Sequence, residues 1–157
     1  MSDTVTTDAI DEILTRMAKT EGALLPILHA IQAVEGYVPA EVVPRIADAL
    51  NLSRAEVHGV ISYYHHFRQK PAGKVVVQIC RAEACQAVGA DAFAHDAVKV
   101  LGCDFHETSK DGSVTLEPVY CLGQCACGPS AMINDDVHAR MTIERLKTLV
   151  DRARSQA

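Results

Sequence analysis

The stretch VVVQICRAEAC, residues 75–85, decides how the second half of this chain folds. Val75, Val76, Val77 and Ile79 form a β-branched run too short for a helix, so the spacing predicts a buried strand. Cys80 stands at the end of that strand, and Cys85 follows in the loop as a C-x4-C pair. A second pair lies further on in YCLGQCACGPS, residues 120–130, where Cys121 and Cys125 are spaced C-x3-C and Cys127 follows. Residues 114–120 predict another strand, which puts Cys121 at a strand end as well. Two cysteine pairs, each at the end of a buried strand, can converge at one end of a sheet and offer four thiolates.

Outward from these pairs, the rest of residues 71–157 alternates strand and helix. Residues 88–101 read as a helix stopped at Gly102, a suitable C-terminal cap. Residues 105–108 and 114–120 read as a hairpin turned at Lys110, Asp111 and Gly112. A shorter pair, 132–134 and 137–139, turns at Asp135 and Asp136. A last helix starts at Thr142 as N-cap, with Ile143, Leu146, Leu149, Val150 and Ala153 on one face. The order is strand, helix, hairpin, hairpin, helix: a small thioredoxin-like α/β unit.

Residues 1–70 follow a different period. Ile10, Ile13, Leu14 and Met17 recur at helical spacing, as do Leu24, Leu28 and Ile31, and then Val42, Val43, Ile46 and Leu50. A fourth helix opens at Ser53 with a capping box to Glu56 and carries Val57, Val60, Ile61 and Tyr64. This predicts a small helical bundle, joined by the linker 69–73 to the second unit. The fold class is α+β, with domains at 1–70 and 71–157.

The 157-residue length is enough to bury about 70% of the unfolded surface, so six cysteines are not needed as staples. A net charge of -5 with no Lys/Arg run argues against a nucleic-acid partner. The apolar stretch ALLPILHAIQAV is interrupted by Pro26, His29 and Gln32, so no membrane segment is expected. The acidic, polar start resembles no secretory signal, and the expected compartment is cytoplasmic. There, clustered cysteines serve more often as metal ligands or redox groups than as bridges. A thioredoxin-type dithiol is disfavoured by the absence of C-x-x-C. Zinc and a 2Fe–2S cluster both accept four thiolates, and the wider spacing favours the cluster.

Three further readings concern single groups. Cys103 is expected to be a buried small hydrophobe. His65 and His66, near a helix end, suit capping or an interface, and Tyr63, Tyr64 and Phe67 suit helix packing. Arg81 and Glu83, between the first two cysteines, are either solvated or contacts for a partner.

CRAEAC, thirty-five residues, and then CLGQC ahead of a Gly-Pro resembles the thioredoxin-like 2Fe–2S subunit that accompanies the flavoprotein of NAD-linked oxidoreductases. GYVP (residues 36–39) and EVHGVISYYHHF (residues 56–67) extend the likeness over nearly the whole chain. The form CRAEACQ is most similar to the gamma subunit of NAD-dependent formate dehydrogenases. Versions of the subunit from complex I and from hydrogenase diaphorases belong to the same family.

The resemblance implies one 2Fe–2S cluster on Cys80, Cys85, Cys121 and Cys125, with Cys127 standing where the family usually has another residue. It implies FMN and NAD on a flavin-binding iron–sulfur partner, and a metal-pterin on a molybdenum- or tungsten-containing catalytic subunit. It also implies that residues 1–70 dock that flavoprotein. No catalytic residue is expected here, because neither a G-x-G-x-x-G nor a P-loop stretch occurs. A structural zinc module for assembly and a free-standing 2Fe–2S ferredoxin are the readings from other classes.

Overall fold

A computed structural model describes residues 3–156, with side chains from residue 8 onward. It divides into two compact units, residues 1–71 and 72–157.

The first unit has four helices, α1 (Asp3–Met17), α2 (Leu24–Glu35), α3 (Val43–Leu50) and α4 (Arg54–Tyr63), with a 3-10 turn at Ala40–Val42. The helical spacing of Ile10, Ile13, Ile27, Leu28, Ile31, Ile46, Val57 and Ile61 turns these side chains inward, where all are buried. Two ends are set by backbone that a left-handed residue closes: Gly36 (φ 80°) after α2 and Asn51 (φ 54°) after α3. α4 starts with the expected capping box, the Glu56 amide donating to Ser53 Oγ (3.2 Å) and the Ser53 amide to Glu56 Oε2 (2.8 Å). Those bonds hold the Glu56 carboxyl below its ordinary pKa.

After α4 the chain is sewn back onto α2 by a buried glutamine. Gln32 Nε2 donates to the His66 carbonyl (2.9 Å), and the Arg68 amide donates to Gln32 Oε1 (2.7 Å). The aromatic run departs from the expected packing. Phe67 is buried, but Tyr63 and Tyr64 are 75% and 43% exposed, because α4 turns only Val57 and Ile61 fully inward. His66 rests against the His29 ring, centroids 5.0 Å apart. Burial, His29 and Arg68 together push its pKa down.

The second unit is a five-stranded sheet in the order β2-β3-β1-β4-β5. The strands are β1 (Val75–Cys80), β2 (Glu107–Thr108), β3 (Val114–Val119), β4 (Ala131–Ile133) and β5 (Asp136–His138). β1 is central and runs parallel to β3, while every other pairing is antiparallel. Its residues Val75, Val77 and Ile79 are fully buried in one core with Leu116, Ala131 and Ile133. Two helices, α6 (Ala90–Leu101) and α7 (Ile143–Gln156), pack on each other and on the sheet.

Several boundaries differ from those read from the sequence. The helix predicted over residues 88–101 is one continuous helix that starts two residues later: an unexpected short α5 (Glu83–Gln86) precedes Gly89, and α6 starts at Ala90 and ends at Leu101 before Gly102. Gly89 has φ 95°, a conformation that ends one helical turn and re-aims the chain for the next. β2 holds two residues rather than four, since residues 105 and 106 turn and His106 takes φ 67°. The final hairpin turns at Asn134 (φ 53°) and Asp135 rather than at Asp135 and Asp136, which opens β5. The reason is a side-chain bond: Asn134 Oδ1 accepts from the Val76 amide (2.9 Å), while the Asn134 amide donates to the Val76 carbonyl. Thr142 caps α7 as expected, its Oγ1 accepting from the Arg145 amide.

Candidate metal centre at the strand ends

Parallel pairing places the C-terminal ends of β1 and β3 side by side, with Cys80 opposite Val119. Parallel strands end at the same edge, so both cysteine loops leave the sheet together. A backbone bond joins them directly: the Arg81 amide donates to the Val119 carbonyl at 2.7 Å.

Each cysteine has a distinct setting. Cys80 is the last residue of β1 and Cys85 sits in α5, both 1% exposed. Cys121 lies two residues beyond β3, not at its end, at φ 87°. Cys125 opens a 3-10 turn, Cys125–Cys127, and is exposed like Cys121. The Cys121 and Cys125 sulfurs are 3.7 Å apart, and the Gly123 amide donates to Cys121 Sγ at 3.4 Å. Two thiolates held tetrahedrally at about 2.3 Å from one metal would stand roughly 3.8 Å apart, so this pair is spaced to share one.

The pairs also meet each other. Burial pushes the Cys80 thiol up, but hydrogen bonds from the Ala82 amide, the Cys85 thiol, the Cys121 amide and the Ser130 hydroxyl outweigh it and leave it below the ordinary cysteine value. The Cys121 amide comes from the opposite loop, so the two loops lie close together at Cys80. The Cys125 thiol is pushed up by its hydrogen bond to Cys121, then by the charge there, by burial and by the charges on Cys85 and Cys80. Among the described residues, no three His, Cys, Asp or Glu side chains gather tightly enough to hold a single metal ion. The arrangement is two pairs of sulfurs with amides between them, a donor set that fits a two-metal, sulfide-bridged cluster.

Sequence reading missed two participants. Ser130 is 1% exposed; its carbonyl accepts from the Cys80 amide (3.0 Å) and its hydroxyl lies 3.4 Å from Cys85 Sγ. Arg140, at φ 50°, donates its amide to the Cys127 carbonyl (2.8 Å) and reaches Cys127 Sγ with Nη2 at 3.9 Å. Ser130 follows a Gly-Pro beside three cysteines, a position that signals nearness to the site. Arg140 carries no such signal.

Gly128 sits at a close approach between the two loops. A Cβ on Gly128 would stand 2.7 Å from Val88 Cγ2 and 3.4 Å from Cys85 Sγ. The second loop therefore touches the first across a bare backbone. Arg81 is not freely solvated: its guanidinium bonds Asp91 (3.0 Å) and lies over the Phe105 ring, 5.3 Å from the centroid. Glu83 remains exposed. Cys103 is buried in the sheet core, with its thiol pushed up by burial and by Glu107.

Residues 10–154 match the family described as thioredoxin-like [2Fe-2S] ferredoxin. The chain belongs to that family. Among curated proteins, this ferredoxin is 32% identical to the NADP-reducing hydrogenase subunit HndA of Solidesulfovibrio fructosivorans, across 88% of this chain and 81% of that one. It is 31% identical to the E subunit of NADH-quinone oxidoreductase from Escherichia coli, across 92% and 87% of the two chains. Against the corresponding NADH-quinone oxidoreductase protein of Mycobacterium tuberculosis the identity is 35%, but this ferredoxin spans only 57% of that longer chain. Among solved structures, a crystal structure of NAD+-reducing [NiFe]-hydrogenase in the H2-reduced state superposes with a TM-score of 0.72 at 20% identity. The match covers 88% of this chain and 23% of that one, and it speaks for the fold. Among the described residues no helix is long and apolar enough to cross a membrane.

Proposed function

We propose that this ferredoxin is the one-electron subunit of an NAD-linked oxidoreductase, holding a single 2Fe–2S cluster on Cys80, Cys85, Cys121 and Cys125. The observation that carries this reading is the meeting of two thiol pairs where the parallel strands β1 and β3 end. Bound there, the cluster supplies a centre that takes up and returns one electron at a time.

The chain's own residues do the rest. Cys80 and Cys85 hold their sulfurs inside the fold, with the Ser130 hydroxyl 3.4 Å from Cys85 Sγ and the Ala82 and Cys121 amides favouring the Cys80 thiolate. Donors aimed at sulfur stabilise added negative charge, so they favour the reduced form. Cys121 and Cys125 stand at the exposed side, where an electron partner can approach. Relatives named as subunits of NADH-quinone oxidoreductase and of an NADP-reducing hydrogenase support a flavin- and NAD-binding partner.

Within this class, the complex is a cytoplasmic NAD-dependent formate dehydrogenase, in which formate is oxidised on a molybdenum- or tungsten-containing subunit. The loop CRAEACQ supports that choice; the names of the relatives favour complex I or a hydrogenase instead. Residues 1–70 dock the flavoprotein.

Two measurements test the proposal. The purified protein should be reddish-brown with two irons and two sulfides per chain, and on reduction should give one spin-half electron paramagnetic resonance signal. A colourless protein with one zinc would replace it with the structural module. Stopped-flow mixing with NADH should leave the protein unbleached alone and bleach it once the flavoprotein is added. Co-purification with a formate-oxidising subunit, rather than with a hydrogenase or a quinone-reducing complex, decides the subclass. A chain shortened to residues 74–157 should keep the cluster but bind the flavoprotein poorly.

A further inference from the structure

The four candidate ligands differ in one respect that cluster binding does not call for. Cys80 and Cys85 are 1% exposed, whereas Cys121 and Cys125 face solvent with their sulfurs 3.7 Å apart. A disulfide needs about 2.05 Å between sulfurs, so a closure of under 2 Å separates this pair from a bond. Only three residues intervene, and one of them, Gly123, is a glycine at φ 75° that tolerates a change of loop geometry.

Thiol–disulfide exchange also requires access, because a sulfur must meet the disulfide it attacks. Access divides the six cysteines. Cys80, Cys85 and Cys103 are buried, and Cys127 is half-buried with its sulfur turned to the Arg140 guanidinium. Cys121 and Cys125 are the two that are both exposed and adjacent.

We infer that in the cluster-free chain Cys121 and Cys125 form a reversible redox pair, closing to a disulfide by exchange with a low-molecular-weight disulfide such as oxidised glutathione. One of the two thiols attacks a glutathione sulfur, breaking that S–S bond and releasing one glutathione thiol. The other thiol then attacks the mixed disulfide, forming the Cys121–Cys125 bond and releasing the second glutathione. Two electrons pass from the cysteine sulfurs to the glutathione sulfurs, and the two thiol protons end on the two released thiols. The closed loop has no free sulfur at either position, so cluster loading stops until a dithiol reductant reopens it. This last step rests on the ligand assignment proposed above; the disulfide itself does not.

The test uses the full chain, stripped of metal under reducing conditions and then incubated with oxidised glutathione. Two of the six thiols should be lost. Cleavage after Leu122 should leave two peptides joined through Cys121, in the wild type and equally in the Cys127→Ala variant. Recovery of Cys121 as a stable glutathione adduct would overturn the pair, as would a bridge that vanishes in Cys127→Ala, or earlier oxidation of Cys80 and Cys85. Loading with iron and sulfide is then compared before and after reduction with dithiothreitol. The oxidised chain should load at least tenfold less than the reduced one. Equal loading of both forms would overturn the gating. Failure of the reduced chain to load at all would overturn the ligand assignment, and gating with it, while the mapped disulfide would stand.

Discussion

The first cysteine loop, residues 81–89, keeps Cys85 and the neighbouring Cys80 inside the fold, whereas the second, residues 120–128, leaves Cys121 and Cys125 in solvent. The difference arises in the backbone just past each strand. After β1 the chain goes straight into a short helical turn that folds Cys85 beneath it, and Ser130 closes over the sulfur. After β3 the chain swings out through Cys121 at φ 87° and Gly123 at φ 75°, and Cys121 and Cys125 remain exposed. The same chemical group thus serves as packing in one loop and as surface in the other. A centre bound by these four sulfurs would be enclosed on its inner side and open to solvent on its outer side.

The sharpest way to break this comparison is to remove sulfurs one loop at a time. Any of Cys80→Ser, Cys85→Ser, Cys121→Ser and Cys125→Ser should abolish the visible absorption and the bound iron. Stability should separate them. In the metal-free chain, serine at position 80 or 85 buries a hydroxyl in a tight site and should cost about 1–3 kcal/mol in urea unfolding. At 121 or 125 the cost should stay within about 0.5 kcal/mol. Equal costs in both loops would remove the distinction.

A second variant tests where the loops touch. Gly128→Ala sets a methyl 2.7 Å from Val88 Cγ2, and such overpacking should cost about 1–3 kcal/mol. Val88→Ala opens that space, so the double variant should recover most of the loss. A double-mutant cycle without coupling would show that the contact does not hold the loops together.

Ser130→Ala should act more finely. It removes the hydroxyl beside Cys85 and should lower stability by about 1 kcal/mol. With one donor fewer toward the sulfurs, the reduction midpoint of the loaded protein should move to more negative potential. A redox titration followed by electron paramagnetic resonance checks the direction.

The smallest effect is expected in a turn at the other end of β3, which serves as the control. Asp111 accepts from Ser109 Oγ, from the Ser113 amide and from Ser113 Oγ, and these bonds pull its carboxyl from 3.8 down to about 2. A depressed carboxylate contributes stability that is full above its unfolded pKa and is lost as pH falls through the folded one. The contribution of Asp111 should therefore fade between pH 3.8 and about 2. Asp111→Asn should flatten that part of the acid limb in the metal-free chain and leave the iron content at neutral pH unchanged. Loss of iron from this variant would mean that the turn and the cysteine edge are not independent.

Much of this protein is legible from residue order, because the signals are local. Four helices follow from apolar spacing, α4 from the Ser53–Glu56 box, β1 from its β-branched run and α7 from Thr142 and its apolar face. The four cysteines stand out as two pairs for the same reason. What residue order leaves open is everything set by groups distant in sequence. The parallel pairing of β1 with β3 brings Cys80 near Cys121, and nothing within either loop specifies it. The turn at Asn134 depends on Val76, 58 residues away. Burial is the clearest case. Cys80, Cys85, Cys121 and Cys125 are the same residue type, yet the free energy of each thiol depends on which backbone amides, hydroxyls and water surround it. Those neighbours are chosen by the packing of the sheet and its loops, so the chain's order determines that four sulfurs are available, and the tertiary structure alone decides which two are buried and which two are exposed.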